Sequence, residues 1–165
     1  MIYETNNIYN VNSYEAIKQI PDKSIDCIYT DIPYLIQDGG CSDNDMSRRF
    51  KRLRSVDLAN IKDGIDYNIL EEFKRILKNI NIFIWCNKSQ IFDIQQYFKD
   101  FNVEILTWNK TNPSPMTNNV WLPDIEYCLY FREKGVKLND GYELKSKWYT
   151  SPINKNDKDL YNHPT

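Results

Sequence analysis

The tetrapeptide Asp31-Ile32-Pro33-Tyr34 sets a carboxylate, constrained backbone carbonyls and an aromatic face side by side. It follows the apolar run Ile25-Asp26-Cys27-Ile28-Tyr29-Thr30, which reads as a short buried strand. In open α/β sheets ligands gather outside the carboxyl ends of strands, and these four residues fall at that edge. Such a group suits the handling of a base amino nitrogen, a poor nucleophile because its lone pair is delocalised into the ring. Asp31 and the backbone oxygen of Ile32 or Pro33, each accepting one amino hydrogen, would turn the nitrogen toward tetrahedral geometry and aim its lone pair at a methyl donor. A base inside a duplex is out of reach and has to be flipped out. Tyr34 offers a stacking face worth about 1–3 kcal/mol, comparable to the few kcal/mol that unpairing costs. On its own the tetrapeptide also describes an ordinary turn after a strand.

The elements that would position it can be read around it. Asn12 followed by Glu15 resembles a capping box, opening a helix with Ala16, Ile17 and Ile20 inward and ended by Pro21-Asp22. Residues 35–60 hold Gly39-Gly40, many charges and little periodicity, and read as a long mobile loop. Ile69, Leu70, Phe73, Ile76, Leu77 and Ile80 recur at helical spacing, and Ile82 to Cys86 reads as a buried strand. Ser89 can cap a helix through Ile91, Ile94 and Phe98. Val103 to Trp108 and Ile125 to Phe131 are further strands. Strands alternating with helices argue an α/β sheet with parallel pairing. The stretch 135–162 is polar and irregular, with Trp148-Tyr149 as its apolar anchor, and reads either as a small recognition insert or as a surface excursion.

Composition bounds the rest. With 165 residues, 41% of them hydrophobic, the chain can bury one core and reads as one domain. No apolar stretch approaches the roughly 20 residues that span a bilayer, and Met1-Ile2-Tyr3-Glu4 has no signal-peptide character, so the expected location is cytoplasmic, without a membrane partner. Cys27, Cys41, Cys86 and Cys128 show no metal-ligand spacing, and three of them sit in apolar runs, so buried free thiols and no metal are expected. A net charge of −2 gives no global field for nucleic acid. The local candidate is Arg48-Arg49-Phe50-Lys51-Arg52-Leu53-Arg54, five cations in seven residues, which either neutralise phosphates or form a solvated basic face.

From Ile8 to Thr165 the sequence resembles the permuted DNA amino-methyltransferases, in which the catalytic motif precedes the cofactor-binding motif. The matches are colinear: Ile8-Tyr9-Asn10-Val11-Asn12-Ser13 for a strand ending in Asn-Gly-Asp-Cys, Ile20 to Asp26 for the lead into Asp-Pro-Pro-Tyr, and Phe73 to Lys78 for the following helix. Trp108-Asn109-Lys110-Thr111-Asn112-Pro113-Ser114-Pro115, Glu126 to Phe131 and His163-Pro164-Thr165 then follow in order. The resemblance implies the class I, Rossmann-like, S-adenosylmethionine-dependent methyltransferase fold, present as its catalytic half. It implies S-adenosylmethionine as methyl donor and double-stranded DNA as partner. Carried over by position, Asp31, Ile32, Pro33 and Tyr34 are catalytic, Tyr34, Trp108 and Lys110 bind the base, and Asn12, Ser13, Asp31, His163, Pro164 and Thr165 meet the cofactor. Lys110 and Asn112 join Arg48, Arg49, Lys51 and Arg52 as DNA contacts. An Asp in first position goes more often with adenine N6, and a Ser with cytosine N4.

Three departures qualify the resemblance. Ile32 replaces the first proline, which is expected to loosen the backbone while keeping its carbonyl. Val11-Asn12-Ser13 replaces Gly-Asp-Cys; Asn12 could accept from the cofactor's adenine amino group or simply cap a helix. The family's Gly-rich cofactor turn has no counterpart among Gly39, Gly40, Gly64, Gly135 and Gly141. The strand carrying Asp31 should therefore keep an unpaired edge, to be completed by a second polypeptide or a further C-terminal segment. The alternatives are a non-catalytic DNA-binding or interaction protein derived from such an enzyme, cytosine-N4 specificity, or an RNA methyltransferase with the same pocket.

Overall fold

A computed structural model describes residues 3–35, 64–113, 115, 121–138 and 141–154. Asn12 opens helix α1 (Ser13–Ala16): its Oδ1 accepts the Tyr14 amide at 2.9 Å, satisfying one of the free amides of a helix start. The chain tightens at once into a 3-10 turn, Ile17–Gln19, whose Ile17 is buried. Arg75 fastens this segment to the body, donating to the carbonyls of Ile17 and Ile20 at 2.8 Å each while Asp22 and Glu72 hold its guanidinium. The stretch 8–12 forms no strand, and Ile8 and Val11 face solvent.

Strand β1 (Ile28–Asp31) is shorter than the run that predicts it; Ile25 contributes an isolated parallel bridge to Leu77. Helix α2 (Asn68–Ile76) buries Ile69, Leu70, Phe73 and Ile76, one apolar stripe at three- and four-residue spacing. It ends where Leu77 turns extended, so Leu77 and Ile80, predicted on the same helix, are buried from the connection beyond it. Strand β2 (Asn81–Cys86) turns Ile82, Ile84 and Cys86 inward by simple alternation. Helix α3 (Ile91–Tyr97) follows, and Ser89 does not cap it. The Ser89 hydroxyl and amide both donate to Asn87 Oδ1, at 2.7 and 3.2 Å, because Asn87 forms a tighter local turn first.

Strands β3 (Asn102–Lys110) and β4 (Ile125–Arg132) complete the predicted set, and β5 (Trp148–Ser151) adds a strand inside the stretch that reads as irregular. The sheet order is β1-β2-β4-β3-β5. The expectation of parallel pairing holds for β1 with β2 and for β3 with β5, but β4 runs antiparallel to both its neighbours. The physical reason lies in the connection from β3 to β4, whose described residues hold no helix of the kind that a parallel crossover uses.

Ile82, Ile84, Cys86, Leu129 and Phe131 from the sheet join Leu70, Phe73, Ile94 and Phe98 from α2 and α3 in one core, with Phe98 stacked on Phe131 at 4.7 Å. The opposite face carries an aromatic layer in which Phe83 stacks on Tyr130 at 4.1 Å and the Trp85 indole N–H donates to the Tyr29 hydroxyl at 2.5 Å. Cys86 and Cys128 are buried as expected; Cys27 is exposed, because it precedes β1 instead of lying inside it. No helix among the described residues is long and apolar enough to cross a membrane.

Candidate active site

Asp31 is the last residue of β1, exposed and in register with Trp85 of β2. The next residue stays attached to the sheet: the Ile32 amide donates to the Trp85 carbonyl at 3.3 Å, and its side chain is 4% exposed within the core. The expected loosening at Ile32 is therefore not what the structure shows. An isoleucine has the N–H that a proline lacks, and here that N–H prolongs the β1–β2 ladder by one residue.

The loop after β2 then holds the rest of the tetrapeptide. Gln90, 1% exposed and the one buried polar side chain among the described residues, donates from Nε2 to the Pro33 carbonyl at 2.9 Å. Its Oε1 accepts the Asn87 amide at 3.2 Å. Asn87 Nδ2 donates to the Leu35 carbonyl at 2.7 Å. Gly64, at φ +80°, packs its backbone close by; a Cβ there would stand 3.5 Å from both Gln90 Nε2 and the Leu35 Cβ.

On one side of the tetrapeptide lies a cavity of about 790 Å³ whose walls include Tyr34, Cys86, Asn87, Lys110, Trp121 and Glu126. The Tyr34 hydroxyl donates to Glu126 Oε2 at 3.3 Å, and Lys110 Nζ forms an ion pair with Glu126 Oε1. Burial, and after it the Glu126 and Asp31 carboxylates, push the Tyr34 phenol well above the usual tyrosine range, so it stays a neutral donor. Burial likewise holds the Cys86 thiol up at about 12, helped by Asp31, and that of Cys128 at about 12. These thiols are not nucleophiles near neutral pH.

On the other side, a groove of about 390 Å³ runs along the outer edge of β1, with Tyr9, Val11, Ser13, Asp31, Ile32 and Ile65 in its walls. Its walls are mostly apolar, with Ser13, Thr30 and Asp31 among the polar residues that line it. A mostly apolar groove with a few polar groups is the usual character of a small-molecule site.

The sequence-derived residues thus divide. Asp31, Ile32, Pro33 and Tyr34 meet at the end of β1, and Lys110 joins them through Glu126. Lys110 is held inside, its side chain 13% exposed, with Nζ 5.3 Å from the centre of the Trp108 ring. Trp108 lies three strands from β1, roughly 14 Å across the sheet at about 4.8 Å per strand. Its indole N–H donates to Ser151 Oγ of β5 at 2.7 Å, and it is not part of the cavity wall, where Trp121 stands 97% exposed. Asn112 exchanges two hydrogen bonds with the Ile153 backbone, at 3.1 and 2.6 Å. Asn12 Oδ1 serves the helix cap. Arg48, Arg49, Lys51, Arg52, His163, Pro164 and Thr165, with most of the 35–60 loop and Cys41, lie outside the described residues.

Sequence reasoning assigned no role to Glu126, Gln90, Asn87 or Trp121. Glu126 did leave a signal, a carboxylate early in the otherwise apolar strand Ile125–Arg132. Gln90 left none, because a glutamine ahead of an amphipathic helix is ordinary.

No protein-family model matches the chain. Individual relatives do. The Type II methyltransferase M2.LlaDCHI of Lactococcus lactis subsp. cremoris is 26% identical over 99% of this chain and 69% of its own length. The Type II methyltransferase M2.DpnII of Streptococcus pneumoniae shows the same identity and coverage. Among solved structures, the cytosine-N4-specific PvuII DNA methyltransferase superposes with a TM-score of 0.60 at 11% identity, covering 89% of this chain and 57% of its own. The M1.HpyAVI–SAM complex gives 0.52 at 19%, covering 81% and 58%. The chain thus spans about two thirds of the length of those relatives and less than two thirds of the solved chains. The solved structures establish the sheet, and the sequence matches run nearly the whole length of the chain. This chain is a homologue of the Type II DNA methyltransferases, built on the class I S-adenosylmethionine-dependent methyltransferase fold.

Proposed function

We propose that this chain forms the base-holding half of a site-specific DNA amino-methyltransferase, acting in the cytoplasm on the exocyclic amino group of a flipped base in double-stranded DNA, with adenine N6 as the preferred target. The observation that carries this reading is the exposed carboxylate of Asp31 at the end of β1, which lines the apolar groove three residues before Tyr34, and Tyr34 lines the cavity with Glu126 and Lys110. The likeness to Type II methyltransferases and to the solved PvuII DNA methyltransferase supports DNA ahead of RNA as substrate.

Asp31 accepts one amino hydrogen of the base and a neighbouring backbone carbonyl accepts the other, drawing the nitrogen lone pair out of conjugation. Tyr34 stacks on the base and its hydroxyl donates to Glu126, while Asp31 turns its carboxylate to the amino group. Lys110 neutralises Glu126 so that a second carboxylate does not compete with Asp31 for the amino group. S-adenosylmethionine, when bound, supplies a methyl group activated by its sulfonium. The groove residues fit that group: Tyr9, Val11 and Ile32 would flank it, and Ser13 and Asp31 would hold its polar parts, with Asn12, His163, Pro164 and Thr165 as further contacts. Arg48, Arg49, Lys51, Arg52, Lys110 and Asn112 remain the proposed DNA contacts. The outer edge of β1 invites a completing strand, from a second polypeptide or a further segment.

Transfer of a labelled methyl group to duplex DNA tests this, followed by nucleoside analysis that separates N6-methyladenine from N4-methylcytosine. Adenine labelling that disappears in Asp31→Ala is the expected result. Cytosine labelling would overturn the target base. DNA binding without any transfer, even with a completing segment supplied, would favour the non-catalytic DNA-binding reading.

A further inference from the structure

Three hydrogen bonds from the end of β2 and the loop after it fall on consecutive parts of the catalytic segment: Trp85 to the Ile32 amide, Gln90 to the Pro33 carbonyl, and Asn87 to the Leu35 carbonyl. The middle one differs in kind. Gln90 is sealed from water, its Oε1 is already fixed by the Asn87 amide, and so its Nε2 has a determined direction. A buried amide that lost these partners would leave an unsatisfied donor and acceptor, which costs more than the bonds themselves contribute. The segment therefore has one favoured conformation relative to β2.

We propose that Gln90 is a positioning residue that selects which backbone carbonyl faces the substrate. By engaging the Pro33 oxygen it fixes the direction of that carbonyl toward the loop after β2, and it favours the Ile32 oxygen, one residue after Asp31, as the backbone partner of the Asp31 carboxylate in holding the amino group. This rests on the functional reading above in naming the amino group; the clamp itself does not. Asn87 plays the secondary part, holding Leu35 so that the chain beyond Tyr34 cannot peel away. Gly64 suits the position through its φ of +80°, which L side chains rarely adopt, and a Cβ there would meet the Gln90 amide only at ordinary contact distance.

The test uses the full chain in two measurements. Hydrogen exchange, corrected for intrinsic rates, is followed over residues 32–35 for wild type, Gln90→Glu and Asn87→Asp. Gln90→Glu keeps the acceptor for the Asn87 amide but at pH 8 turns a carboxylate oxygen on the Pro33 carbonyl; protonation at low pH restores a donor. Exchange over 32–35 should rise at least tenfold at pH 8 and fall back toward wild type at pH 5, with the centre of β2 unchanged. Methyl transfer should then show a fall in kcat at nearly constant KM for DNA, relieved as pH is lowered. Unaltered exchange over 32–35 in Gln90→Glu overturns the clamp. Raised exchange with an unchanged kcat overturns the positioning role. If Gln90→Glu loses its fold, Asn87→Asp on the loop surface decides: faster exchange near Leu35 and a reduced kcat support the clamp, and neither overturns it. A wild-type chain inactive on DNA under all conditions overturns the functional reading, while the exchange data still decide whether the clamp exists.

Discussion

The two sides of the Asp31 segment are built by different means. On the cavity side the polar groups are paired across strands distant in sequence, Tyr34 with Glu126 and Lys110 with Glu126, so the sheet itself sets their geometry. On the groove side the walls come from a short helical segment and from an extended stretch whose Ile8 is fully exposed, and among the described residues β1 has no neighbour there. The difference teaches that, under the proposed function, holding a base and holding a methyl donor are separable: the first rests on strands paired with one another, the second on an edge that no described strand covers.

That contrast can be broken at its support. Ile84→Ala, at the fully buried centre of β2 behind the cavity, is expected to cost about 2–5 kcal/mol in denaturant unfolding, with loss of cavity-side order. A change below about 1 kcal/mol would mean the cavity does not rest on this core. Asp31→Ala stands at the joint between the two sides. It should lower methyl transfer by about 10²–10³-fold, as removing one aligned polar group typically does, while leaving the unfolding midpoint nearly unchanged. Equal losses in stability and rate would make Asp31 a structural residue.

Lys110→Met sharpens the cavity side. It leaves Glu126 half-buried without its cation, and a loss of about 1–3 kcal/mol is expected, less than for a fully buried pair because Glu126 keeps partial solvent access. Double substitution with Glu126→Gln should recover part of it; an additive loss would show that the two side chains act independently. Alkaline pH probes the same side more gently. Folding keeps the thiols of Cys86 and Cys128 protonated up to about 12, against 9.0 for an ordinary thiol. The stability this confers is whole below pH 9 and is lost as pH rises toward 12, because the unfolded chain releases those protons first. The denaturation midpoint should fall between pH 9 and about 12, and exposed Cys27 should react with a thiol reagent before Cys86 or Cys128. On the groove side, Val11→Ser should change stability by no more than about 0.5 kcal/mol, since Val11 is 51% exposed. A larger effect would show the groove to be more ordered than its exposure implies.

Much was legible before any coordinates. The apolar spacing of Ile69, Leu70, Phe73 and Ile76 and the alternation of Ile82, Ile84 and Cys86 are local periodicities, which a chain displays whatever surrounds it. Asp31 at a strand end was legible for the same reason. The end of α2 was not, since Leu77 and Ile80 continue the apolar stripe after the backbone has left the helix. Nor was β5, whose Trp148 to Ser151 show no buried face.

The amino-acid sequence by itself thus determined the long periodic helix and strand segments, which of their faces are apolar, and that a carboxylate, carbonyls and a tyrosine stand together at the end of β1. Tertiary structure alone decided that β4 enters between β2 and β3, that Glu126 reaches Tyr34 across 92 residues of chain, and that Gln90 rather than a proline ring fixes the Pro33 carbonyl. The physical reason is that a residue's periodicity states which way it points relative to its own backbone. Which distant group it meets depends on strand order and register, set by the packing of the whole core.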